Sequence, residues 1–106
     1  MPPAVDLEVL SDNCTDRPSA PEVEQQLTEF VTAVERGWGR ELLVYARGSW
    51  TDLYPLPTAV RERARWRTSF FVRPRADWAV WQVHYWAHVD GIEGRVDLDV
   101  LRADRL

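Results

Sequence analysis

Lysine is absent from this chain, and cysteine and methionine occur once each. A single cysteine, Cys14, excludes an internal disulfide framework and a cysteine zinc centre. No apolar run approaches the roughly 18 residues that a membrane span requires. The opening residues Met1-Pro2-Pro3-Ala4-Val5-Asp6 show neither the basic start nor the apolar stretch of a signal peptide. Thirteen basic residues, all Arg, stand against seventeen acidic ones, and the net charge of −4 argues against a dedicated nucleic-acid binder. We therefore expect no nucleic acid and no membrane among its partners. What is present is a chain of 106 residues, 45% hydrophobic and 11% aromatic. That is the composition of one folded domain at most, not of a disordered segment.

The pattern along the chain alternates strands and helices. Val5, Leu7 and Val9 fall on one face of a strand over Ala4–Leu10, with Asp6 and Glu8 on the other. Ser11 to Pro21 is polar and proline-bearing, which predicts a loop. Ser19 and Glu22 have capping-box spacing, and Val23, Leu27, Phe30, Val31 and Val34 mark one face of a helix ending near Arg36, stopped by Gly37 and Gly39. Leu42–Ala46 is a nearly continuous apolar run, as a buried parallel strand would be. Gly48–Pro57 reads as a loop, Thr58–Trp66 as a short Arg-rich helix, and Ser69–Val72 as a strand stopped by Pro74. Trp78–Val89 predicts a strand with Ala79, Trp81, Val83, Tyr85 and Ala87 on one face. After a turn at Gly91 and Gly94, Arg95–Leu101 predicts a last strand, with Val96, Leu98 and Val100 facing one way and Asp97 and Asp99 the other. Crossover helices in the first part imply parallel neighbours and an α/β fold.

Two acids at i and i+2 on a strand lie about 6.6 Å apart along the chain, on one side. They form either a solvated edge-strand face or a paired-carboxylate site, in which each charge raises the pKa of the other.

Four segments carry a resemblance. Pro2-Pro3-Ala4-Val5-Asp6-Leu7-Glu8 resembles the Asp-x-Glu strand of glycoside hydrolase family 25, the Chalaropsis-type lysozymes. Leu43-Val44-Tyr45-Ala46 is similar to that family's next strand, and Trp78-x-x-Trp81-Gln82 to its Trp-Gln strand. Val89-Asp90-Gly91-Ile92-Glu93-Gly94-Arg95-Val96-Asp97-Leu98-Asp99 is similar to its closing Gly-Ile-x-Gly-x-Val-Asp-x-Asn segment. The four occur in family order and cover nearly the whole chain. Two positions depart from the pattern: Asp99 stands where the family usually has Asn, and Asp90 where many relatives have Pro.

The resemblance implies the C-terminal half of an irregular, partial TIM-like barrel of five β/α units closed by three further strands, residues 1–106 being one part of the catalytic domain. It implies hydrolysis of the β-1,4 bond between N-acetylmuramic acid and N-acetylglucosamine in a peptidoglycan glycan strand, with no cofactor and no metal. By resemblance the catalytic residues are Glu8 as general acid, Asp6 orienting the acetamido group or stabilising charge, and Asp97 in support. Tyr45, Trp81 and Gln82 are the expected substrate contacts. The family typically acts outside the cell or at the cell wall. Its members have roughly twice this length, so the reading expects a truncated chain, inactive alone, whose partner is a missing N-terminal half-domain or a second copy paired through open sheet edges. The alternative is a non-catalytic peptidoglycan- or sugar-binding module derived from that fold.

The remaining polar residues read more plainly. His84 and His88 would be about 13 Å apart on a strand and cannot share an ion. Trp81, Trp86, Tyr45 and Tyr54 offer flat faces to sugar rings, with core packing as the competing role. Arg61, Arg63, Arg65 and Arg67, with Trp66 among them, read as a solvated helix face or as a contact to anionic wall polymer. Cys14 reads as an inert loop thiol.

Overall fold

The computed structural model describes residues 1–10 and 16–106. Cys14 and the beginning of the loop expected from Ser11 lie outside the described residues. The chain divides into two compact units, Met1–Arg63 and Ala64–Leu106.

The first unit is built on a strand–helix–strand crossover. Strand β1 (Ala4–Leu7) leads to helix α1 (Ala20–Trp38) and strand β2 (Leu43–Ala46), followed by two single-turn helices, α2 (Gly48–Thr51) and α3 (Thr58–Arg61). β1 and β2 pair in parallel, Ala4 opposite Leu43 and Asp6 opposite Tyr45. A parallel pair needs a long connection, and α1 supplies it.

The limits of α1 follow from its ends. Ser19 takes the N-cap position, and both its backbone N–H (2.8 Å) and its hydroxyl (2.6 Å) donate to Glu22 Oε2. The helix runs through Gly37 and stops at Gly39, whose φ of +64° is the left-handed conformation that glycine adopts without a side-chain penalty. Val23, Leu27 and Val31 are buried as the periodicity predicts. Phe30 departs from that expectation: it flanks the stripe and stays half exposed. Leu27 and Val31 join Leu7, Leu42, Val44 and Val60 in one core, with Val5, Val34 and Ala46 against it. Leu43, on the other face of β2, is buried too. The strand is therefore covered on both sides, which explains its unbroken apolar run.

A part-buried polar clasp closes this unit. Glu35 on α1 receives Arg63 Nε at 2.7 Å and Arg63 Nη2 at 2.9 Å, and its Oε1 also accepts the Leu42 backbone N–H at 3.1 Å. It joins the end of α1, the start of β2 and the segment after α3.

The second unit holds strands β3 (Arg65–Thr68), β4 (Val80–Ala87) and β5 (Val96–Leu101). β3 pairs with β4 in parallel and β4 with β5 antiparallel. Gly91 and Gly94 turn the chain between the last two strands, both at positive φ.

Further expectations need correction: the stretch Gly48–Pro57, expected as a loop, opens with the single-turn helix α2. The helix expected over Thr58–Trp66 ends at Arg61, and the strand expected over Ser69–Val72 lies four residues earlier, at Arg65–Thr68. Alternation places Trp66 and Thr68 on one face there, and the ladder to β4 satisfies the backbone. Extended structure cannot pass Phe71, whose φ is +60°. The single apolar face expected along β4 is also absent. Trp78, Ala79 and Val80 are all buried at the entry to β4, and beyond Gln82 register shifts between Gln82 and His84 and between His84 and Ala87 break the two-residue period, with Tyr85 exposed. On β5, Leu98 and Val100 are exposed, and Asp99 is the half-buried residue between them.

The architecture is thus α/β, with parallel pairing in the first strands. No helix among the described residues is long and apolar enough to cross a membrane.

Candidate active site

In the first unit a polar row forms at the C-terminal ends of β1 and β2. The parallel register sets Asp6 beside Tyr45, and the next matching positions along the two chains are Glu8 and Arg47. The Arg47 backbone N–H donates to the Leu7 carbonyl at 3.0 Å, so the ladder continues just past both strands. Residues two apart share a face, which puts Asp6, Glu8, Tyr45 and Arg47 on the side opposite Leu7 and Val44. Arg47 Nη1 lies 3.1 Å from Glu8 Oε2. One residue further, the Val9 backbone N–H reaches the Ser49 hydroxyl at 3.4 Å.

The two acids sit differently within this row. Lost hydration first, and the charge of Glu8 second, push the Asp6 carboxyl above the ordinary aspartate range. Glu8 instead holds a guanidinium, and the bond to Glu8 raises the pKa of Arg47 in turn. Arg47 escaped the sequence reading. The signal was its place two residues after Tyr45 on the same strand, but only the register shows that Glu8 stands opposite.

In the second unit another polar row crosses all three strands. Thr68 is opposite Gln82 on β4, and Gln82 is opposite Asp99 on β5. The Thr68 hydroxyl donates to Gln82 Oε1 at 2.6 Å, and Trp66 Nε1–H donates to Asp99 Oδ1 at 3.0 Å. Burial raises the Asp99 pKa, the Trp66 bond opposes that shift, and the charge of Asp97 adds to it. Asp97 lies two residues before Asp99 on the same strand and is exposed.

Trp81 is adjacent to Gln82, so alternation sends it to the opposite face of β4. Its Nε1–H donates to the Ser69 carbonyl at 2.7 Å, and its ring meets Trp78 edge-on, centroids 6.0 Å apart. Gln82 thus shares a face with the two aspartates and Trp81 does not. Tyr54 is buried, with its hydroxyl donating to the Pro18 carbonyl at 3.2 Å and its ring 5.0 Å from that of Trp50, which makes it a core residue. Of the arginine run, Arg63 belongs to the Glu35 clasp, and Arg65 and Arg67 lie on β3. Trp66, read as part of a helix face, is the donor to Asp99. Among the described residues, no group of three or more His, Cys, Asp or Glu side chains is placed to hold a metal ion.

Compared with known proteins, the chain matches no protein-family model and no curated protein. It is similar to a solved structure, a family 25 glycosyl hydrolase from Bacillus anthracis, with a TM-score of 0.70 and 23% sequence identity. The match covers 95% of this chain and 49% of that one, so the chain spans about half the length of its structural relative. The likeness is one of fold.

Proposed function

We propose that this chain is part of a family 25 glycoside hydrolase domain, the C-terminal half of its partial TIM-like barrel, acting as an N-acetylmuramidase on peptidoglycan. The observation that carries the reading is the row Asp6–Glu8–Tyr45–Arg47 at the C-terminal ends of two parallel strands, in a chain whose fold matches a family 25 glycosyl hydrolase over 95% of its length. Barrel enzymes keep their chemistry at that end of the strands.

Cleaving a glycosidic bond requires a proton donor for the leaving oxygen and negative charge near the oxocarbenium-like sugar. Glu8 takes the first role and Asp6 the second, orienting the acetamido group or stabilising charge. By resemblance Asp97 supports them and Tyr45 and Gln82 contact the glycan, whereas Trp81, on the other face of β4 from Gln82 with its indole hydrogen-bonded to Ser69, packs against Trp78 instead. To act as the acid, Glu8 must release Arg47, whose Nη1 lies 3.1 Å from Glu8 Oε2.

A second reading exchanges the two roles. It is favoured by the raised Asp6 carboxyl beside an ion-paired Glu8.

The experiment measures release of reducing ends from purified peptidoglycan. We expect none from the chain alone, and activity when it is joined to the part of the Bacillus anthracis relative that it does not cover. In that complemented protein Glu8→Gln should lose several orders of magnitude, because an amide cannot donate the proton, and Asp97→Asn should lose less. A larger loss in Asp6→Asn than in Glu8→Gln would favour the exchanged roles. Full activity of Glu8→Gln and Asp6→Asn alike would refute the site.

A further inference from the structure

The second unit carries a cluster of rings that the carboxylate chemistry does not use. Trp86 is its hub. Its centroid lies 5.7 Å from that of Phe70, 5.5 Å from Phe71, 4.8 Å from His84 and 4.9 Å from Tyr85. Phe70 also meets Tyr85 at 5.4 Å, and Phe71 meets His84 at 5.8 Å. The cluster is held together yet open: Phe71 is 67% exposed, Tyr85 57% and Phe70 45%.

Two backbone features build it. The Ser69 and Phe71 N–H groups donate to the Gln82 and Val83 carbonyls, at 3.2 and 3.3 Å, which holds the segment against β4. The chain then turns at Phe71 through φ +60°, a conformation rare for a bulky residue. On β4, the register shifts around His84 disrupt alternation, so the consecutive residues Tyr85 and Trp86 both reach Phe70. Strain and irregular pairing bring five rings together, three of them largely exposed in this chain. Strained positions of this kind collect at binding sites.

The geometry points to this ring cluster as a binding platform for a neutral pyranose chain. A sugar ring has an apolar C–H face bordered by hydroxyl and amide groups. The cluster answers with flat apolar faces and, at their rims, the Tyr85 hydroxyl, the Trp86 indole N–H and a His84 ring nitrogen. None of the five residues is Asp, Glu, Lys or Arg, which suits a neutral ligand and gives no counter-charge to a phosphate backbone. The choice of sugar rests on the proposed function; the platform itself rests on the rings.

The probe is a β-1,4-linked N-acetylglucosamine tetramer, titrated into the full chain and followed by NMR. We expect shifts concentrated at Phe70, Phe71 and His84–Trp86, and at least tenfold weaker binding in Tyr85→Ala and Phe71→Gly. Phe71→Gly removes the ring and relieves the backbone, so it should melt no lower than the wild type while binding less, which separates lost contact from lost fold. Trp38→Ala, at an exposed tryptophan of α1, should bind as the wild type does. Absence of shifts, or equal binding by all variants, would overturn the platform. So would concentration-dependent dimerisation that Phe71→Gly abolishes, since the rings would then serve a second copy of the chain. Binding that persists without hydrolysis in the complemented protein would count against the catalytic reading and leave the platform standing.

Discussion

Removing the Arg63 guanidinium should destabilise the first unit by more than any surface charge would. Both partners of its bond to Glu35 are largely shielded, with side-chain exposures of 19% and 16%. Two parallel N–H donors at 2.7 and 2.9 Å make a forked, charge-assisted contact, and the Leu42 N–H adds a third bond to the same carboxylate. Hydrogen bonds to charged groups contribute about 1.5–3 kcal/mol each to stability, and partial solvent access places this pair toward the low end. Arg63→Met should therefore cost about 2 kcal/mol, a melting shift on the order of 10 °C for a unit of this size. Glu35→Gln should cost less, because the amide oxygen still accepts from Leu42. The double variant should show a coupling of about 1 kcal/mol between the two sites.

The pH dependence has a definite sign. The Arg63 bond holds the folded Glu35 carboxyl below the ordinary value of 4.5. Its stabilisation is complete above that unfolded value and disappears as pH falls through the lower, folded one. Wild type and Arg63→Met should therefore differ fully at pH 7 and converge in acid. Urea denaturation followed by circular dichroism at both pH values measures the difference. Equal stability at pH 7, or a gap that widens in acid, would refute the clasp.

Two further predictions concern the site and the helix end. Asp6 has its carboxyl raised by lost hydration and by Glu8, so its ionised form costs stability above the folded pKa, and that cost vanishes as pH drops below the unfolded value. Asp6→Asn should melt higher than the wild type at pH 7 and equally in acid; a lower melting point at pH 7 would contradict the repulsion. Gly39→Ala should cost about 1 kcal/mol by forcing a side chain into the left-handed region at the end of α1, with nothing within 4 Å of the new Cβ to add a clash. Gly39→Asn should cost less, and thermal melts of the three proteins would rank them.

Local chemistry was enough to read α1, β2 and the spacing of the two acids. Ser19, Glu22 and Gly39 act on their own helix ends, the burial of Val23, Leu27 and Val31 follows from a 3.6-residue period, and the run Leu42–Val44 is legible because both faces of β2 are covered. Parallel pairing followed as well, since a helix between two strands leaves little choice. Partners distant in sequence were not legible. The meeting of Arg47 with Glu8 depends on the register of β1 against β2, and that of Trp66 with Asp99 on two ladders at once. The position of β3 was misread because Arg65-Trp66-Arg67-Thr68 is polar enough to pass for a helix face, while Phe70-Phe71-Val72 has the composition of a strand. Pairing with β4 settled the first against its composition, and the left-handed backbone at Phe71 released the second to solvent. Period and capping are properties of a few neighbouring residues; register, bulges and the exposure of a ring belong to the strands they meet.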